Sequence, residues 1–181
     1  MTTPDVRRLF LALWPSAAVR SALLEVQRHF AVGTSRAVNA DNLHITLVFL
    51  GSTPSERRDC IEAALDGLEM PGFDLQLDRL GYWRRPQVVW AGSDVVPPPL
   101  TSLVEAMTEA AVQCGCKLDA RPFHPHLTLF RKVRKPPRDL PALAPILWPA
   151  EAFALVESVT ASSGVHYQIL KTWPLAGGVS G

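Results

Sequence analysis

The pattern His-x-Thr-Leu occurs twice, and no other feature of the chain constrains its fold as much. Leu43-His44-Ile45-Thr46-Leu47-Val48-Phe49-Leu50-Gly51 is matched 82 residues later by Phe123-His124-Pro125-His126-Leu127-Thr128-Leu129-Phe130-Arg131. Each copy opens an apolar run of the composition found in strands. On a strand, residues two apart face the same side, roughly 6.5–7 Å from one another. His44 and Thr46 therefore project together while Ile45 enters a core, and His126, Leu127 and Thr128 repeat the arrangement. Two such strands side by side under pseudo-twofold symmetry bring two imidazoles and two hydroxyls into one small volume.

That set suits a phosphodiester. A neutral imidazole takes a proton from attacking water while an imidazolium opposite protonates the leaving oxygen. Histidine is the side chain whose unperturbed pKa allows both forms near neutrality. Threonine hydroxyls can hold the non-bridging oxygens between the rings. Neither a metal nor another cofactor is required, provided that a cation neutralises the phosphate. Arg131, five residues after His126, is the candidate, because its planar fork suits bidentate contact. Each piece alone has a plainer account. A lone strand histidine is more often a satisfied, half-buried side chain, and threonine is a good strand former. Arg131 is followed by Lys132, Arg134, Lys135 and Arg138, the pattern of a solvated basic run. His124 is taken to hydrogen-bond the backbone and shape the turn at Pro125. Recurrence of the whole set in matching context is what carries the site.

The remaining chain reads as alternating strands and helices. A strand over 8–13 closes at Trp14-Pro15. Ser16 caps a helix bearing Val19, Leu23, Val26 and Phe30, ended by Gly33. Thr53 caps a second helix with Pro54 at its first position, running to about Met70. Phe73, Leu75 and Leu77 alternate with polar residues, and the simplest partner for that strand is a hairpin strand at Val88-Val89-Trp90. Pro97-Pro98-Pro99 opens a helix over 100–113, stopped by Cys114-Gly115. A basic, proline-rich connection from Lys132 to Pro149 precedes two closing strands at 153–156 and 167–170, joined around Ser162-Ser163-Gly164. This order is mixed α+β with antiparallel hairpins, in one domain over 1–181.

Composition narrows the function. The 181 residues include 18 basic and 17 acidic side chains, a net charge of +1. Proteins that hold long nucleic acid by phosphate neutralisation are far more basic, so a nucleic-acid substrate is expected to be gripped locally, at an end. No Gly-rich phosphate loop is present. Cys60, Cys114 and Cys116 are an odd count without a disulfide spacing and point to a reducing compartment. No stretch has the form of a membrane span or secretory leader. The expectation is a cytoplasmic monomer without membrane contact.

Beyond the two motifs, Arg8-Leu9-Phe10, Asp41-Asn42-Leu43, Phe49-Leu50-Gly51, Val88-Val89-Trp90 and Arg121-Pro122-Phe123 carry a likeness that spans residues 8–131. Together they resemble the 2H phosphoesterases, and among these the bacterial RNA 2′,3′-cyclic phosphodiesterase branch, historically called 2′-5′ RNA ligase. The resemblance implies a bilobal α+β fold: two antiparallel sheets with outer helices, related by pseudo-twofold symmetry, and an active-site cleft between them. It also implies metal-independent hydrolysis of a 2′,3′-cyclic phosphate, on an RNA end or a nucleoside, to a 2′-phosphate. In that scheme His44 is the proton donor to the departing 3′ oxygen and His126 the acceptor toward water. Thr46 and Thr128 carry over as phosphate contacts. The chemistry alone leaves acid and base unassigned. Phe49 either stacks on a base near the cleft or enters the core. The proline-rich, basic connection after Arg131 departs from the family's pattern.

Three other readings draw on the same residues. Attack by a 5′-hydroxyl in place of water gives reversible 2′-5′ ligation of RNA ends. A metal hydrolase would take His44, His124 and His126 as ligands, although no Asp or Glu lies beside either motif. A non-catalytic RNA-end or nucleotide-binding module would not require two titratable groups on opposite faces of a phosphate.

Overall fold

Alternation along the first strand already divides the molecule into two faces. In the computed structural model, which describes residues 5–30, 35–119, 121–162 and 164–177, β1 (Val6–Leu13) turns Leu9, Leu11 and Leu13 to one side and Phe10 and Ala12 to the other. The leucines join the main core, with apolar faces of α1 (Ala17–His29), α2 (Ser55–Asp66) and α3 (Pro98–Gln113). Phe10 and Ala12 form a separate cluster with Ala154 and Val156, flanked by Trp14 and Tyr167. The helices therefore cover one face of the sheet and leave the other for a cleft.

The remaining strands are β2 (Arg36–Ala37), β3 (Ile45–Pro54), β4 (Phe73–Leu77), β5 (Arg79–Trp83), β6 (Val88–Gly92), β7 (His126–Arg131), β8 (Ile146–Ala150), β9 (Ala152–Ala161) and β10 (Gly164–Pro174). The main sheet runs β10-β9-β1-β3-β7-β6-β5, with β2 on β7, and β4 pairs β8 separately. Every strand pair is antiparallel. A lobe built on β10-β9-β1-β3 meets a lobe built on β7-β6-β5 through one residue pair, Ile45 opposite Leu127. The α+β class and antiparallel lobes are as the sequence indicates, and the two His-x-Thr strands lie side by side.

Several local expectations need correction. Phe73–Leu77 does not form a hairpin with Val88–Gly92; it pairs with Ile146–Ala150, at the end of the stretch from Lys132 to Pro149 read as a connection. Ile146, Trp148 and Ala150 are buried there while Leu147 and Pro149 face out, a half-buried strand hidden by its prolines. The hairpin partner of β6 is instead β5. Thr53 does not cap α2, because pairing with β1 extends β3 to Pro54. The Thr53 hydroxyl donates to the Gly51 carbonyl at 3.1 Å, and extended Pro54 stands at the cap with no side-chain hydrogen bond. That helix ends at Asp66, four residues short of Met70. The closing strands are longer than expected, since β9 and β10 continue their ladder to the hairpin tip. Gly33 and Ser163 lie outside the described residues.

The cysteines are also corrected. Cys60 on α2 and Cys114 at the end of α3 form a disulfide with Cα atoms 5.8 Å apart. Side-by-side packing of α2 and α3 creates this pair across a sequence separation of 54, which no local spacing reveals. Cys116 is a buried free thiol, its pKa pushed up by burial and held back by the nearby Arg57 cation. Among the described residues, no helix is long and apolar enough to cross a membrane.

Candidate active site

The pairing of Ile45 with Leu127 fixes the geometry of both motifs. Both side chains are fully buried. Carried one step either way, that antiparallel register sets His44 across from Thr128 and Thr46 across from His126. The two histidines are thus diagonal neighbours, a relation that separates residues by roughly 7–8 Å and their Cβ atoms by somewhat less. All four side chains line one cavity of about 1230 Å³. A phosphate between the rings would meet an imidazole on each side and a hydroxyl beside each.

Strict alternation from His126 would turn Arg131 away from this cavity, since five is an odd number of steps. A β-bulge prevents that. Trp90 pairs with Thr128 but Val89 pairs with Phe130, so Leu129 is the extra residue and the strand changes phase. Arg131 returns to the cleft side and lines the cavity. The first lobe does the same: Ala12 pairs with Thr46 and Leu11 with Val48, leaving Leu47 extra. Burial over 44–49 and 126–131 then follows one pattern, with the sixth residue exposed in each. Phe49 is the positional counterpart of Arg131. It is 49% exposed, not in the core, and lies under the Arg8 guanidinium at 4.8 Å.

Each histidine is oriented from behind. The Nδ1–H of His44 donates to the Asn42 carbonyl at 2.7 Å, which leaves Nε2 as the atom facing the cleft. The Thr46 hydroxyl meets that Nε2 at 3.1 Å and donates to it when the ring is neutral. Asn42 is itself tied to β10 through its side-chain amide, which donates to the Val165 carbonyl. His126 repeats the arrangement, its Nδ1–H donating to the His124 carbonyl at 2.8 Å. The environments still differ. Burial pushes the His44 pKa down to about 4, helped by the Arg131 and His126 charges and opposed by the Asn42 carbonyl. The His126 pKa is also lowered, again chiefly by burial, with the His124 carbonyl opposing and the His124 ring adding.

Aromatic rings around the histidines are the residues that sequence reasoning missed. Trp14 stacks on His44 at 5.3 Å, with Phe10 and Tyr167 each 4.9 Å away. Trp83 meets His126 edge-on at 4.4 Å. Trp83 rests on Trp90, which lies flat over β5 only because position 81 is glycine: a Cβ there would sit 2.0 Å from the indole. Alternation of Phe10 with leucines was the one available signal, since it turns Phe10 out of the main core. The His124 ring packs against Trp90 at 5.1 Å, so that residue contributes its carbonyl to His126 and its ring to the wall. Among the described residues no cluster of three or more His, Cys, Asp or Glu is placed to hold a metal ion.

Comparison with known proteins gives the family and the fold. The profile of the 2′-5′ RNA ligase superfamily matches residues 14–161. The RNA 2′,3′-cyclic phosphodiesterase of Escherichia coli is 35% identical over 172 residues, covering 94% of this chain and 98% of its own. The enzyme of the same name from Thermus thermophilus is 33% identical over 184 residues, with 94% and 91% covered. The crystal structure of E. coli LigT complexed with 3′-AMP superposes with a TM-score of 0.87 at 33% identity, over 96% of this chain and all of that one.

Proposed function

The chain belongs to the 2′-5′ RNA ligase superfamily, and we propose that its two histidines hydrolyse 2′,3′-cyclic phosphates by concerted acid–base catalysis. The activity itself is that of an RNA 2′,3′-cyclic phosphodiesterase, as in relatives aligned over nearly the whole chain. The observation that carries the mechanism is the register at Ile45 and Leu127, which sets the two imidazoles diagonally across one cavity. Water attacks phosphorus from the His126 side and gives a proton to Nε2. The bond from phosphorus to the 3′ oxygen breaks opposite, and protonated His44 delivers its Nε2 proton to that oxygen, leaving a 2′-phosphate. Thr46 and Thr128 hydrogen-bond the non-bridging oxygens, and Arg131 neutralises their charge. Phe49 offers a face at the rim of the cleft.

The substrate is an RNA end or a nucleoside cyclic phosphate, and the relative that superposes so closely was crystallised with a nucleotide. We place the protein in the cytoplasm, where RNA ends are processed; that placement rests on the substrate class and not on the cysteines, since Cys60 and Cys114 are bonded. The reaction is tested with adenosine 2′,3′-cyclic phosphate in EDTA. Expected is 2′-AMP as the product, with His44→Ala and His126→Ala each losing at least about a hundredfold in kcat while remaining folded by circular dichroism. Near wild-type turnover by either variant would remove that residue from the mechanism, and 3′-AMP as the product would reverse which oxygen leaves.

A further inference from the structure

A second, smaller pocket of about 340 Å³ lies on the His44 side of the cleft; His44 and Thr46 line it and His126 does not. Its far wall is built from Arg8 on β1 and from Ser158 and Thr160 on β9. Sheet register puts them together. Leu9 opposes Glu157 and Phe10 opposes Val156, so one further step sets Arg8 opposite Ser158, with Thr160 next on the same face. Neighbouring Arg7 points to the other face and is consumed by Asp5 and Glu157. Arg8 enters no ion pair among the described residues; its guanidinium rests on Phe49. An exposed, uncompensated cation beside two hydroxyls is the chemistry of a phosphate contact.

Reaction geometry says which phosphate. If His44 protonates the departing 3′ oxygen, the ribose lies on the His44 side. Both the 2′ and 3′ oxygens are engaged with phosphorus, so the RNA chain can leave that ribose only through its 5′ carbon. The next phosphate therefore falls on the side of the smaller pocket. We infer that Arg8, with Ser158 and Thr160, forms a subsite for the phosphate on the 5′ side of the terminal nucleotide, and that this subsite makes the enzyme favour RNA ends over isolated cyclic nucleosides. The inference rests on the acid–base reading above and extends it by one nucleotide.

Three substrates separate the possibilities: adenosine 2′,3′-cyclic phosphate with a free 5′-hydroxyl, the same compound with a 5′-phosphate, and the dinucleotide ApA ending in a cyclic phosphate. Expected in the wild type is a kcat/KM at least about tenfold higher for the two that carry the 5′ phosphate. Arg8→Gln should collapse that ratio toward one, and Ser158→Ala should reduce it by a few-fold. Loss of one phosphate contact should also flatten the salt dependence for the dinucleotide, because one screened charge pair is removed. Arg8→Lys, which keeps the charge, should retain part of the preference. An unchanged ratio in Arg8→Gln, or equal losses on all three substrates, overturns the subsite. If the wild type turns over none of the three, the phosphodiesterase reading fails first and the subsite with it.

Discussion

His44 is the proton donor of the proposed reaction, yet in the free protein its pKa is pushed down to about 4. At pH 7 only about one molecule in a thousand would then carry the imidazolium, a deficit of about three pH units or about 4 kcal/mol. Bound phosphate must supply it. One unit charge about 4 Å from the ring, at an effective dielectric of about 20, contributes about 4 kcal/mol. The same anion also neutralises Arg131, whose charge is one of the causes of the depression. The two magnitudes match, so the substrate itself can create its acid. Saturating the protein with 2′-AMP exposes the effect to NMR titration of the histidine ring signals. The His44 midpoint should rise from about 4 to near neutrality. Arg131→Gln should raise the midpoint of the free protein, since removing a cation favours the charged ring. A His44 midpoint that stays at its free-protein value in the saturated complex, with turnover persisting at pH 7, would rule out His44 as the donor.

Two further outcomes follow from the same structure. The lowered His44 pKa implies stability that is fully present above the unfolded value of about 6.5 and is lost as pH falls through about 4. The difference is about 3 kcal/mol. Urea unfolding of wild type and His44→Gln between pH 7 and pH 4 should therefore converge toward the variant on the acid side. The Cys60–Cys114 bond closes a loop whose ends are 54 residues apart, a constraint worth about 4 kcal/mol in the chain-entropy account. Cys60→Ser should cost roughly 2–4 kcal/mol relative to the oxidised protein. Thiol titration in denaturant without reductant should find one thiol, Cys116; finding three would show that the bond is open in the isolated protein.

The parts of this protein that were legible in its sequence are those governed by local period. Alternation over His44-Ile45-Thr46 and His126-Leu127-Thr128 gave strands, a core side and a cleft side without any knowledge of their partner. The β4–β8 pairing was not legible, because its two halves are far apart in the chain and one is masked by Pro145 and Pro149. Arg131 shows the limit most sharply. Counting by twos from His126 sends its side chain to the wrong face, and only the pairing with Val89 and Trp90 reveals the extra residue at Leu129. Trp14, Tyr167 and Trp83 were invisible for a similar reason: each reaches its histidine across strands, not along one. The disulfide depends on two helices lying side by side, a tertiary fact with no signature in cysteine spacing.

The repeated bulge explains how two nearly equivalent half-sites can perform opposite roles. Both lobes run His, core residue, Thr, extra residue, core residue, and then a side chain returned to the cleft. In the second lobe that side chain is Arg131; in the first it is Phe49. The Arg131 charge depresses the pKa of His44, in the other lobe, while His126 in its own lobe owes its depression to burial and His124. The Arg131 cation thus acts unequally on the two rings of a nearly symmetric frame. Before substrate binds, it adds to the burial that is the main cause of the lowered His44 pKa. In the proposed reaction, phosphate engaging Arg131 removes that part of the opposition and its own negative charge offsets the burial, so that His44 becomes a donor when there is something to protonate. Exchanging the two residues, Phe49→Arg with Arg131→Phe, should therefore move the depression by charge from His44 to His126, and the two NMR midpoints should shift in opposite directions. Parallel shifts would mean that burial alone sets both rings and that the asymmetry of roles lies elsewhere.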